Sequence, residues 1–352
     1  MRSFLFRAAL SAMLSPALPG GAAAAEATGS RPAATRPRSE GVLLLEDPDF
    51  QRGFKVFDPA PGRHILKGLL RVDPARGAPA WSLVQWSSRF TLAGAAPHPL
   101  ESGAVRFADG AKAVTIGPPT GPERGLVLAL NGLREYGPRI RSPDEPWAHL
   151  LAEQRLTEHP SLAELAEVPF RVACRLLHCH AYPAPRAAQA GQAAQFLAYL
   201  TVQNLNRHSS GYGDYYWFGI QMYDSRYRVP KPHAALDEGT GKFIYNPPGS
   251  VYTDHTAHTG EWITIERDLL PLIREGLETA WQAGYLKDSR DLCELRLGEF
   301  NIGWELPGTL DVAMHVRDLR LEAVRRAETA PREGHDAPAG RGPGRANEKP
   351  VG

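Results

Sequence analysis

Two stretches, 195–227 and 299–320, alternate apolar residues with large polar and aromatic ones at a period of two, the pattern of strands buried on one side only. In the first, Phe196, Ala198, Leu200 and Val202 form one face, and Gln195, Tyr199, Thr201 and Gln203 form the other. Further on, Tyr216, Phe218, Ile220 and Met222 oppose Trp217, Gln221 and Tyr223; later Phe300, Ile302 and Trp304 oppose Glu299, Asn301 and Glu305. If these strands share one sheet in register, that sheet presents amides, phenols, an indole and carboxylates on a single surface.

The remaining strand candidates are short. They fall at 41–45, 64–72, 81–92, 104–107, 113–116, 126–130 and 147–154, bounded by Gly, Pro and Asp, and their spacing is that of an all-β sandwich. Residues 170–177 fit either a strand buried on both sides or a short helix, and 157–167 suggests a helical turn over Leu162 and Leu165. One helix is clear. Across 268–283, Leu269, Leu272, Ile273, Gly276, Leu277 and Ala280 recur at helical spacing, and Gly284 closes the run. The expected fold is mainly β: a two-sheet antiparallel sandwich of jelly-roll type with that helix packed on an edge or a convex face.

A basic start, a short apolar segment and Ala22-Ala23-Ala24-Ala25 make residues 1–25 a secretory signal peptide, so the chain is expected to be exported to a periplasmic or extracellular space. Residues 26–40 read as a disordered linker, 41–326 as one β-sandwich domain, and 327–352 as a tail too polar to order itself. The leader is too short and too broken by Pro16 and Pro19 to span a bilayer, and no later segment spans one. With 40 basic against 39 acidic residues and no basic block in the domain, nucleic acid is not an expected partner. The three cysteines, Cys174, Cys179 and Cys293, allow one bridge at most, from Cys293 to either of the others; otherwise all three are small buried residues.

A surface of this composition suits a sugar polymer, because aromatic rings lie against the apolar faces of pyranoses while amides and carboxylates hydrogen-bond hydroxyls. Tyr199, Trp217 and Tyr223 are the candidate platforms; Arg89, Gln203, Gln221, Asn301 and Glu305 are the candidate polar contacts. The bland alternative is that the segment 228–249 covers Trp217 and Tyr223 and leaves a solvated sheet face. Hydrolysis of a glycoside needs two carboxyls about 5 to 9.5 Å apart. Glu299 and Glu305, six residues apart on one strand, are separated by roughly 20 Å, so a hydrolase requires Glu153 beside one of them.

Residues 308–321, Gly-Thr-Leu-Asp-Val-Ala-Met-His-Val-Arg-Asp-Leu-Arg-Leu, resemble the closing strand of carbohydrate-binding jelly-roll modules. The resemblance implies a two-sheet sandwich with carbohydrate as the usual ligand and implies no catalytic residue. The inventory Arg89, His149, Tyr199, Gln203, Trp217, Gln221 and Tyr223 is similar to the sets used by jelly-roll alginate lyases, in which a Tyr or His base removes a proton beside a neutralised uronate carboxylate. Two departures stand against it: residues 216–223 lack the Lys-Ala-Gly centre of the family's strand, and no Gln-Ile-His triplet occurs. The expected function is polysaccharide binding without turnover, followed by a lyase or hydrolase on the same face with Glu153, Tyr223, Glu305 or His149 as its catalytic group, and then a structural envelope protein. No cofactor or bound metal is expected. His178 with His180, and His255 with His258, lack a full transition-metal ligand set, and calcium on loop carbonyls with Asp311 or Asp318 is the ion most in keeping with a secreted sandwich.

Overall fold

A computed structural model describes residues 41–182, 191–237 and 239–327. The leader, the linker and most of the tail therefore lie outside the described residues.

Eighteen strands run through the described residues. In chain order the first nine are β1 (Val42–Leu43), β2 (Phe54–Phe57), β3 (Leu66–Leu70), β4 (Trp81–Val84), β5 (His98–Pro99), β6 (Val105–Ala108), β7 (Lys112–Ile116), β8 (Leu126–Asn131) and β9 (Ala148–Arg155). The rest are β10 (Leu165–Glu167), β11 (Pro169–Ala181), β12 (Gln195–Asn204), β13 (Tyr215–Asp224), β14 (His233–Asp237), β15 (Lys242–Asn246), β16 (Ile263–Asp268), β17 (Leu295–Leu306) and β18 (Leu310–Arg325). They form two sheets. One runs β16-β11-β18-β8-β7-β6-β5, with β1 and β10 also paired to β18; the other runs β14-β15-β13-β12-β17-β9-β4-β2-β3. The pairing is antiparallel except where β13 meets β15 and β2 meets β4. This is a sandwich of jelly-roll type, as the alternation predicted, and the three strands that carry the polar pattern lie side by side in the second sheet.

Period-two alternation fills the space between the sheets. Phe196, Leu200, Phe218, Ile220, Phe300, Ile302 and Trp304 point inward from the second sheet, and Leu126, Leu128, Phe170, Val172, Val312 and Val316 meet them from the first. The Trp304 indole N–H donates to the Leu128 carbonyl at 2.9 Å, so this buried ring leaves no polar atom unpaired.

Helix α1 (Gly132–Tyr136) is one turn; helix α2 (Leu270–Gln282) is the predicted one, with Leu270, Ile273, Gly276, Leu277 and Ala280 buried. It does not lie on a convex face. It packs on the inward-facing Tyr216 and Tyr245 of β13 and β15, and Tyr216 donates its hydroxyl hydrogen to Ile273 O at 2.6 Å.

Several expectations change. Residues 169–181 are a strand between β16 and β18, and 157–167 holds no helix but a turn leading into β10. The strand expected over 81–92 stops at Val84, because the Gln85 side chain is held by Phe57 O and Thr91 and Ser87 adopts a left-handed backbone. The segment 228–249 is not a covering loop: it supplies β14 and β15, which extend the sheet beyond Trp217. All three cysteines are free, with Cys174 buried, Cys179 half-buried and Cys293 exposed. No helix among the described residues is long and apolar enough to cross a membrane.

Candidate functional site

The second sheet keeps one face for the core and leaves the other free. On that outer face the register lines up two polar rows. Tyr199, Asn301, Glu153 and Ser82 face one another across β12, β17, β9 and β4; Gln195, Glu305 and His149 do so four residues along. Between them runs an apolar row of Leu197, Gly303, Leu151 and Val84.

These side chains face away from the core yet are sheltered: Tyr199 is 9 % exposed, Asn301 5 % and Leu197 3 %. A flat sheet would not shelter them. Nor would it bring its margins over its floor, yet Asn246 of β15 and Tyr199 of β12 both lie against Gly219 of β13, and His64, beyond β2, reaches Glu153 of β9 at 3.1 Å. The sheet therefore curls, and its margins rise around a trough floored by the two rows.

Rings cluster at two places in the trough. In one, Trp217 packs edge-on against Tyr199 and Tyr215, with ring centres 5.7 and 5.4 Å away, and Lys242 lies over Tyr215. In the other, Phe57, His64, Trp86 and His149 follow one another at 5.3, 5.8 and 6.3 Å. Asn301, Glu153 and Glu305 share the floor with them. Gly219 leaves room for the first cluster, since a Cβ there would lie 1.9 Å from Asn246 Oδ1 and 2.9 Å from the Tyr199 ring. Seven buried side-chain polar atoms have no hydrogen-bond partner among the described residues, and three of them border the trough: the acceptors Asn301 Oδ1 and Asn246 Oδ1 and the donor Trp86 Nε1. Buried orphans of this kind are uncommon.

The carboxylates fall into two environments. Glu153 takes a hydrogen bond from His64 at 3.1 Å, while burial and the neighbouring Glu299 push its pKa up. Glu305, with a side chain 18 % exposed against 15 % for Glu153, is similarly sheltered but has no such donor. Burial first, and then Asp237, raises its pKa to about 7. His149 Nε2 is 4.0 Å from Glu305, but burial lowers the imidazole to about 4. The two are thus close enough for an ion pair yet both neutral between pH 4 and 7, and the contact is between an acid and an uncharged imidazole. Burial and the Glu305 charge also hold the Tyr199 phenol well above its usual range.

Of the residues expected to form the site, Tyr199, Trp217, Asn301, Glu305, Glu153 and His149 meet on this face. Gln203 shares it at the far end, opposite Arg296 and Tyr215. Gln221 faces the trough but spends its amide on Lys231 O and Pro247 O, fixing the loops at either end of β14 and β15. Arg89 is elsewhere: it follows β4 in a turn, its backbone N–H donates to Glu135, and its exposed guanidinium faces Glu145. Tyr223 is on the wrong side. The register passes from Phe196↔Tyr223 to Leu197↔Gln221, leaving Met222 as a bulge, so Tyr223 turns into the core against Trp304 and hydrogen-bonds Cys179. Asp318 pairs with Arg124 at 2.6 Å, and Asp311 sits 3.3 Å from His178. No three His, Cys, Asp or Glu among the described residues are grouped as metal ligands.

Sequence reasoning missed Asp237, His64, Phe57 and Trp86. Trp86 stood in a strand candidate and shared a face with Ser82 and Val84, which was its signal. Asp237 and His64 come from the rims, where only the curl of the sheet makes them neighbours of the floor.

No protein-family model matches the chain, and no curated protein matches it. Among solved structures it is similar to the endoglucanase Cel12A from Rhodothermus marinus, with 13 % identity, 69 % of this chain and 99 % of that chain covered, and a TM-score of 0.35. The family 11 xylanase from Neocallimastix patriciarum overlaps at 10 % identity, 65 % and 94 % coverage and a TM-score of 0.34. The xyloglucanase domain of NopAA from Sinorhizobium fredii, solved with cellobiose, overlaps at 8 %, 66 % and 96 %, with a TM-score of 0.33. At that level of overlap no residue role passes from them to this chain.

Proposed function

We propose that the trough on the outer face of the second sheet binds an uncharged polysaccharide. The observation that carries this is the pair of orphaned buried atoms, Asn301 Oδ1 and Trp86 Nε1, set among two ring clusters. A sugar hydroxyl can donate to the first and accept from the second, while pyranose faces lie on Trp217 and Trp86. The charge of the trough favours a neutral chain. Glu153, Glu299, Glu305 and Asp237 all act within it, and Arg89, the arginine that a uronate-binding lyase would use, is absent from the floor.

Calorimetry against soluble glucan, xylan and mannan, with alginate as the acidic control, tests the proposal. Saturable binding to a neutral glycan is expected. Trp86→Phe keeps a ring but removes the donor and should weaken binding by about 1 kcal/mol. Trp217→Ala should weaken it by about 1–2 kcal/mol, with the melting temperature little changed. Preference for alginate, or affinity unmoved in both variants, would sink the reading.

A further inference from the structure

We infer that this trough also hydrolyses the glycan it holds, with Glu305 donating a proton to the glycosidic oxygen and Asp237 facing the positive charge that develops on the sugar ring. The inference rests on the binding reading above and adds turnover to it.

Glu305 projects from β17 onto the trough floor between His149 of β9 and Gln195 of β12. Among the described residues nothing donates a hydrogen bond to its carboxyl; His149 Nε2 lies 4.0 Å from it. Asp224, by contrast, is held by Arg226 and Gln195. Glu305 is instead sheltered and unengaged, and its pKa of about 7 leaves it a proton to give near neutrality.

The second carboxylate comes from the opposite rim. Asp237 ends the edge strand β14 in a tight turn, where Gly239 N (3.2 Å), Thr240 N (3.0 Å) and Thr240 Oγ1 (2.5 Å) donate to it. Those bonds fix its orientation. The Thr240 hydroxyl also lies 3.4 Å from Trp217 Nε1, which sets Asp237 beside the ring expected to seat a sugar. With three strands between them the two carboxyls are not a contact pair: Asp237 stands on the rim of the trough and Glu305 on its floor.

The step balances with these groups and water alone. The C–O bond to the leaving sugar breaks as the Glu305 proton moves to that oxygen. The ring carbon, left cationic, faces the Asp237 carboxylate. Water then adds through its oxygen to that carbon, and its proton returns to Glu305, restoring the acid. The other titratable groups facing Glu305, His149 and Tyr199, stay neutral near pH 6.

Purified protein incubated with soluble glucan, xylan and mannan should release reducing ends from the polymer it binds, without the ultraviolet absorbance of an unsaturated uronate. Release should fall as pH rises through about 7. Glu305→Gln and Asp237→Asn should each lower kcat on the order of 100-fold or more, with a far smaller change in Kd for the same polymer by calorimetry. Binding without release, or release unmoved by Glu305→Gln, would overturn the inference and leave the binding reading standing. No binding to any of the three polymers would overturn both.

Discussion

Glu305 and His149 are neighbours whose titrations oppose each other. Glu305 has its usual value of 4.5 raised to about 7 on folding, so the folded chain holds the proton longer and stability falls as pH climbs from about 4.5 to about 7. His149 has 6.5 lowered to about 4, so the unfolded chain takes the proton first and stability rises as pH climbs from about 4 to about 6.5. Each contribution is about 3 kcal/mol across its window, and in the overlap they nearly cancel. Glu305→Gln should therefore expose the histidine, its urea midpoint gaining on wild type as pH rises from 4.5 to 6.5, and His149→Gln should expose the carboxyl and lose ground over the same range. Midpoint curves parallel to wild type in both variants would show that neither group is desolvated. The sequence offered both residues as candidates from their chemistry alone, and their adjacency was not legible in it: Glu305 and His149 meet through a register that pairs strands far apart in the chain. Asp237, which completes the arrangement, ends β14 in a segment that the sequence offered only as a cover over Trp217 and Tyr223.

At the scale of elements, alternation predicts faces only as far as the ladder stays regular. Along β12 it holds throughout, and Tyr199, Thr201 and Gln203 fall where the period puts them. Along β13 it fails at Met222, because the bulge places Met222 and Tyr223 both on the core side, and nothing in the side chains of 216–223 marks an extra residue. Helix α2 was legible because its apolar positions recur over several turns, yet what it packs on was not. Gly276 is the contact: a Cβ there would lie 2.8 Å from the Tyr245 ring and 2.9 Å from the Tyr216 hydroxyl. Two effects of Gly276→Ala compete. Helix propensity gains about 1 kcal/mol, while overpacking costs about 1–3 kcal/mol. The second should win, because Tyr216 cannot retreat without giving up its 2.6 Å bond to Ile273 O. Urea unfolding should find the variant about 1–2 kcal/mol less stable; a more stable variant would mean that the helix is free to shift.

At the scale of the whole molecule, the curl of the second sheet converts dispersed residues into a site, and the core beneath it makes that curl stable without covalent help. Cys174 is enclosed in the core, where burial pushes its thiol up to about 12 and removes its reactivity. Cys179 is bonded to Tyr223 behind it, and Cys293 sits on the surface with Asp291 raising its pKa. If the chain is exported, as its first 25 residues suggest, it reaches an oxidising space with three thiols and no bridge to form among them. Intact-mass measurement of protein recovered from the envelope or medium, alkylated before and after unfolding, tests both halves of this. The terminus should lie near Ala25 or Glu26. Alkylation of the native protein should mark Cys293 first and Cys179 more slowly, with Cys174 reached only on unfolding and no reductant required. An intact Met1 would end the export proposal. Fewer than three thiols in the unfolded, unreduced protein would mean that a bridge forms, and that the sandwich relies on a cross-link its packing does not show.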